Sequence, residues 1–193
     1  KITTQDFARK IASIPLNFEP GTDYQYGFSA DILGAVIEKV SGKKFSDFLR
    51  ENIFAPLGME DTAFYVPQSK QPRLSKIYKS VLDPRAIGKF ALLPFEGCNL
   101  GIQYKMDHAP SFESGGAGLC STVDDFMKFG LMLLNEGNLD GTKVLNPATV
   151  KFMTNAELSD DLQQKFNQKM EHLSGYTYCN LLRIANNPAL CKA

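Results

Sequence analysis

Tyr26 is the side chain whose chemistry and position most invite a role. It stands in Glu19-Pro-Gly-Thr-Asp-Tyr-Gln-Tyr26-Gly-Phe28-Ser-Ala-Asp-Ile-Leu-Gly34, at the mouth of a run with helical period. A phenol can relay a proton. A free phenol titrates near ~10, however, so it is a poor base at neutral pH unless cations stabilise its phenolate. From spacing alone, Tyr26 reads as an amphipathic aromatic capping a helix, with one side packed and the other open. The remaining reactive side chains suggest less. His108 and His172 are the only histidines, and neither has a second ligand at helical spacing, so a metal is not expected. Cys98, Cys120, Cys179 and Cys191 are widely spaced and form no Cys-x-x-Cys, which reads as four ordinary thiols and favours a reducing compartment. Ser114-Gly-Gly-Ala-Gly118 precedes a helical pattern and could cradle a phosphate. No Lys follows at P-loop spacing, so the loop reads as a flexible helix entry, and no cofactor is expected.

The elements that must position Tyr26 are marked clearly. Pro20-Gly21 signals a turn, because Pro fixes φ and Gly reaches left-handed conformations without a steric penalty. After it, Ile32, Leu33, Val36, Ile37 and Val40 recur at spacings of three and four, so one helical face is apolar; Gly42 suits the position after the helix. Thr3-Thr4-Gln5-Asp6 offers a capping box for a first helix with Phe7, Ile11 and Ile14, ended by Pro15. A short helix is expected over Phe45 to Phe54, with Phe45, Phe48, Leu49 and Ile53 inward. Ser121-Thr-Val-Asp124 reads as a capping box opening a helix whose stripe of Val123, Phe126, Met127, Gly130, Leu131 and Leu134 is expected to be core. Asn146-Pro147 starts another helix, Lys143 to Leu145 suits a short strand, and Ser159 to Leu173 reads as a polar helix. Residues 60–115 hold many Pro and Gly without a sustained period, which suggests a long irregular excursion with short strands. Residues 176–184 read as a single strand, here short of partners and therefore an association hazard.

These residues, in this order, resemble the serine hydrolases related to class C β-lactamases, penicillin-binding peptidases and the esterases of the same fold. In that family a Pro-Gly-Thr turn precedes Tyr-x-Asn, then Leu-Gly and Glu-x-x-Ser-Gly. The counterparts here are Pro20-Gly-Thr22, Tyr26-Gly27-Phe28, Leu33-Gly34 and Glu38-Lys39-Val40-Ser41-Gly42. Phe54-Ala-Pro-Leu-Gly-Met59, Gly115-Gly-Ala-Gly-Leu-Cys-Ser-Thr122 and Leu134-Asn-Glu-Gly-Asn-Leu-Asp-Gly141 extend the likeness over roughly residues 5 to 155. The resemblance implies a mainly α chain with a few short β-strands (α+β), the helical domain of the β-lactamase/transpeptidase-like fold. It makes Tyr26 the catalytic tyrosine of the family's second motif, activated by the motif lysines. Phe28 takes the place of the family's asparagine as a substrate-facing side chain. Phenylalanine offers no amide and makes a cleft more apolar, which favours an esterase or peptidase type over efficient β-lactam hydrolysis. Asp31, where esterase-like relatives often carry Asp, is assigned to helix N-terminal electrostatics.

Acyl transfer through serine also needs a nucleophile and a group that takes its proton. The family places them in Ser-x-x-Lys on a helix. The only such spacing here is Ser41-Gly-Lys-Lys44, which Gly42 puts on a turn between helices. The family's third motif, Lys-Thr-Gly or His-x-Gly, does not occur, and Lys128-Phe-Gly130 falls inside a helical pattern. The expectation is therefore a middle fragment: residues 1–155 as the helical domain, and 156–193 leading back to a missing α/β domain of the same protein, with an ester, amide or β-lactam as substrate of the whole. A non-catalytic module of the same fold that binds a peptide or protein is the alternative. A Ser41–Lys44 pair is a third reading, and it needs residues 41–44 to be helical.

Composition agrees with a folded piece. In 193 residues, 44% are apolar, enough for one sizeable core. Lys+Arg and Asp+Glu are 21 each, which gives no reason to expect nucleic acid or an anionic membrane. Lys70, Arg73, Lys76, Lys79 and Arg85 read as a solvated basic stretch. No apolar run approaches the ~20 residues of a membrane span.

Overall fold

Helix formation begins where side chains satisfy the free amides of a first turn. Thr3 accepts the Asp6 amide at 3.1 Å and Asp6 accepts the Thr3 amide at 3.2 Å, a reciprocal box that opens α1 (Thr4–Ala12). The structure, a computed structural model, describes residues 1–82, 89–99 and 102–191; Arg85 of the basic stretch lies outside them. α2 (Ser29–Ser41) ends on Gly42, whose φ of 68° is the left-handed conformation expected after a helix. α1 lies against α2, where the Gln5 amide donates to the Ala35 carbonyl at 2.7 Å and to Glu38 at 3.0 Å. α3 (Phe45–Leu49) runs into a π-helical turn, Arg50–Phe54.

The face by which α2 is held differs from the expected one. Asp31, Gly34 and Ala35 are buried, whereas Ile32, Leu33, Val36 and Val40 are exposed. Gly34 lets the Phe45 ring lie against the helix: an added Cβ would come within 3.2 Å of it. The same inversion occurs in α4 (Val123–Leu134). Val123, Phe126, Met127, Gly130, Leu131 and Leu134 were expected to be core, yet they are exposed. Met132, flanked by Phe129 and Leu133, faces the core with Phe54, Leu57 and Met59. Periodicity identifies an apolar stripe but not what covers it, and α4 carries apolar side chains on more than one side. Its cap also falls one residue later than expected, with Thr122 accepting the Asp125 amide at 3.2 Å.

The excursion after Met59 contains two antiparallel hairpins, β1 (Tyr78–Leu82) with β2 (Phe90–Pro94) and β3 (Cys98–Asn99) with β4 (Ile102–Gln103). A bridge between Ala63 and Cys120 returns the chain to the helices. β5 (Asn138–Leu139) and β6 (Thr142–Lys143) form a small ribbon after α4. α5 (Pro147–Asn155) has Pro at its first position, and α6 (Asp160–Lys169) follows. The expected single strand over 176–184 is instead a hairpin. β7 (Tyr176–Cys179) pairs with β8 (Leu182–Ala185), and Asn180 and Leu181 turn between them at φ 49° and 61°. Positive φ at both central residues matches the twist that a two-residue hairpin requires, so β7 finds its partner locally. Among the described residues, six α-helices and four two-stranded sheets make the chain α+β. No helix there is long and apolar enough to cross a membrane.

One buried carboxylate joins the front of the chain to its middle. Glu113, 1% exposed, accepts the Lys44 ammonium at 2.7 Å and the Ser46 amide at 2.7 Å, while its own amide donates to the buried Thr4 hydroxyl at 2.9 Å. Glu113 thus caps α3 from a distant loop. Glu113→Ala leaves the Ser46 amide without its acceptor, and it should cost about 2 kcal/mol. Thermal unfolding should show the midpoint falling by about 4–8 °C; an unchanged midpoint would mean that the cap carries no stability.

Candidate active site

The segment that carries Tyr26 is built as a turn and then fastened from outside. Pro20 and Gly21, the latter at φ 81°, form a β-turn closed by the Thr22 amide donating to the Glu19 carbonyl at 3.1 Å. Asp23 then accepts the Tyr24 amide at 2.7 Å, and Asn17 donates to Gln25 at 2.9 Å. Tyr24 is half-buried against Phe166 and Tyr178, with ring centroids 4.9 and 5.2 Å away, both edge to face. Two residues on, the Tyr26 ring is 80% exposed, and its hydroxyl has no hydrogen-bond partner among the described residues. A rigid anchor thus alternates with an open phenol.

Phe28, 39% exposed, closes the entrance to α2 and packs edge-on to Phe7, which lies 4.6 Å from Phe112. The floor beneath is polar. Asp31, 5% exposed, accepts the Ser114 hydroxyl at 2.5 Å and the Gly116 amide at 3.3 Å. Ser114 in turn accepts the Ala117 amide at 3.1 Å. The Asp31 carboxylate therefore does more than balance a helix terminus: it ties the Gly115 loop to the start of α2. Gly115 is forced by that contact, since a Cβ there would lie 2.2 Å from the Ala30 carbonyl oxygen.

Ser41 and Lys44 are not brought together. α2 stops at Ser41, whose hydroxyl donates to the Ile37 carbonyl at 2.6 Å, while the Lys44 ammonium is engaged by Glu113. Lys128 and Gly130 lie within α4. His108 pairs only with its neighbour Asp107, whose carboxyl is held below the usual range chiefly by that imidazole. All four thiols are free, and among the described residues no three His, Cys, Asp or Glu side chains converge as metal ligands. A groove of about 930 Å³ lies elsewhere, between α3 and the excursion, lined among others by Arg50, Phe64, Tyr104 and Leu119; Tyr26 is not part of it.

Two features of this site escaped the sequence reading. The paired Gly115-Gly116 were a signal that another chain passes closely, but nothing named α2 as that chain. The second is α6, which lies beside the Tyr26 segment. Lys165 donates to the Thr22 carbonyl at 2.6 Å, and Lys169 donates to Asp23 at 2.6 Å and to the Tyr24 carbonyl at 3.1 Å. The Lys169 hydrogen bond holds the Asp23 carboxyl below its usual range.

Comparisons with known proteins bear on the family and the fold. A protein-family model described as Beta-lactamase matches residues 2–178. Protein Rv1367c of Mycobacterium tuberculosis is 31% identical over 155 residues, 78% of this chain and 35% of that protein. The lovastatin esterase of Penicillium rubens is 33% identical over 153 residues, 79% of this chain and 35% of the esterase. Among solved structures, EstCE1, a hydrolase with promiscuous acyltransferase activity, superposes with a TM-score of 0.72 at 22% identity over 98% of this chain and 48% of its own, a likeness of fold. The chain thus spans about a third of the length of the curated relatives it matches.

The half-buried Tyr24 and Tyr178 give a pH signature. Burial raises Tyr24 and Tyr178 above the ordinary phenol value, with smaller contributions from neighbouring tyrosines. The folded chain then holds more protons than the unfolded chain above about pH 10, so stability is intact below that pH and falls as pH rises beyond it. Absorbance of tyrosinate at 295 nm should show two of the seven tyrosines ionising last, together with loss of near-ultraviolet dichroism; seven ordinary titrations in a folded chain would contradict the packing of Tyr24. Separately, Gly115→Ala should destabilise by more than about 2 kcal/mol in denaturant titration, because backbone blocks the new methyl.

Proposed function

The chain belongs to the beta-lactamase family, and we propose that it forms one wall of the active-site cleft of a serine acyl hydrolase, with Tyr26 as its proton-handling residue. The observation that carries this reading is the pairing of a tightly fastened backbone with a fully presented phenol at the start of α2. A structural tyrosine at that point would turn its ring into the packing, as Tyr24 does. Proton transfer needs the reverse arrangement, an open hydroxyl on a segment that does not move.

In this proposal the serine nucleophile and the third motif are supplied by residues outside this chain, and the α/β domain to which they belong packs against it. Three features support that. The chain corresponds to about a third of its curated relatives. Ser41 and Lys44 are committed to other partners. The helices α2 and α4 leave Ile32, Leu33, Val36 and Val40, and Val123, Phe126, Met127 and Leu134, exposed, a kind of surface that often marks an interface. The substrate we infer is an ester with an apolar acyl or alcohol group. Phe28, backed by Phe7 and Phe112, presents a ring where an amide-bearing side chain would recognise a peptide or β-lactam amide. A lovastatin esterase among the relatives is in keeping with that choice.

Covalent labelling decides the matter. The isolated chain should take no label from a fluorescent penicillin or a fluorophosphonate, with or without Ser41→Ala. The full-length polypeptide should be labelled by the fluorophosphonate and should hydrolyse p-nitrophenyl esters, with Tyr26→Phe lowering the rate about a hundredfold or more. Label on the isolated chain that disappears with Ser41→Ala would make Ser41 the nucleophile. A full-length protein that neither labels nor hydrolyses would leave a binding module of the same fold.

A further inference from the structure

We propose that Lys169, on α6, is a positioning residue for Tyr26, and that α6 with β7 acts as a clamp on the Tyr26 segment. The inference rests on the catalytic reading of Tyr26 above and extends it to residues that no feature of the sequence connects with that site.

The clamp has a polar and an apolar part, and both come from one helix face. Lys169 lies one turn beyond Lys165 and Phe166 on α6. Lys165 holds the Thr22 carbonyl at 2.6 Å, immediately after the turn. Lys169 bridges two groups at once, the Asp23 carboxylate at 2.6 Å and the Tyr24 carbonyl at 3.1 Å, and its ammonium also sits 5.7 Å from the Phe18 ring centre. Between them Phe166 is fully buried and meets the edge of the Tyr24 ring. β7 completes the enclosure. Tyr178 stands 5.2 Å from Tyr24 and 6.2 Å from Phe166, and Gln163 of α6 donates to the Tyr176 carbonyl at 3.0 Å. The groups of the Tyr26 segment so engaged lie two to eight residues before Tyr26, and none of these hydrogen bonds is made to Tyr26 itself. That distribution fixes the backbone that aims the phenol while keeping the phenol open.

Lys169 is the member to test, because its two hydrogen bonds converge on Asp23 and Tyr24, just before Tyr26, and its charge is paired with Asp23. A misaimed proton-handling group costs rate steeply even when the fold survives. Loss of an ion pair that is largely at the surface costs little global stability. Those two consequences separate a positioning role from a structural one.

Lys169→Ala and Lys169→Arg should be compared with the wild type in two measurements. In this chain, hydrogen exchange should speed about tenfold at the hydrogen-bonded amides of Thr22 and Tyr24 in Lys169→Ala, with the α4 amides and the melting temperature unchanged. In the full-length polypeptide, kcat for a p-nitrophenyl ester should fall about tenfold with KM unchanged, and Lys169→Arg should recover much of it. Unchanged exchange at the Thr22 and Tyr24 amides would overturn the clamp. Faster exchange with unchanged kcat would overturn the positioning role. Both outcomes are distinct from failure of the catalytic reading itself, which would appear as a Tyr26→Phe enzyme of full activity.

Discussion

The structure depends on two buried carboxylates that meet at one loop, Asp31 of α2 and Glu113 of the loop itself. Asp31 receives Ser114 and Gly116, while Glu113 receives Lys44 and the Ser46 amide in the first turn of α3. A carboxylate removed from water is costly unless its oxygens are supplied with donors, so each of these groups tolerates only the arrangement that supplies them. The requirement fixes three separate elements at once. α1 is fastened through Thr4, α2 through Asp31 and α3 through Ser46, and all three meet at Glu113-Ser114. One apolar cluster lies farther along, between the π-helical turn and Met132. The position of Tyr26 is thus set by the aromatic packing of Tyr24 and Phe28 together with polar bonds. Such bonds are directional, which suits a site where aim matters.

What was legible in the sequence was local. The Pro20-Gly21 turn, the Thr3 capping box and the left-handed Gly42 each depend on residues within four positions of one another, and each has the expected form. The order of family motifs likewise gave the fold class. What was not legible depended on partners far away in the chain. Nothing near Ser46 shows that its amide will be capped by a residue 67 positions later, and nothing near Asp23 announces a lysine 146 positions on. Helix faces failed for a related reason. In α2 the small and polar residues Asp31, Gly34 and Ala35 are the ones held by the rest of the chain, because Gly34 admits the Phe45 ring and Asp31 finds donors.

That inversion has a physical meaning for α2 and α4. An exposed stripe of Ile32, Leu33, Val36 and Val40 on one helix, and of Val123, Phe126, Met127 and Leu134 on another, leaves apolar area in water that a helix ordinarily buries. A helix with one side closed by polar bonds and the other apolar is suited to lie between two layers. Under the proposed function, the facing wall of the cleft would supply the second layer, and the exposed stripes would be the sides that it covers.

The chemistry of a phenol makes the same demand independently of packing. A phenol oxygen takes a proton from a hydroxyl near neutral pH only where cations stabilise its anion. The ammonium groups that reach the Tyr26 segment are already committed, Lys165 to a carbonyl and Lys169 to a carboxylate and a carbonyl. Lys44, the lysine nearest in sequence to a serine at the family's spacing, is committed to Glu113. These cations order the backbone around the site, and among the described residues none is hydrogen-bonded to the phenol itself. Under the proposed function, the activating charge must therefore arrive with the nucleophile, from the facing wall of the cleft. Tyr26 is left open so that it can meet them there.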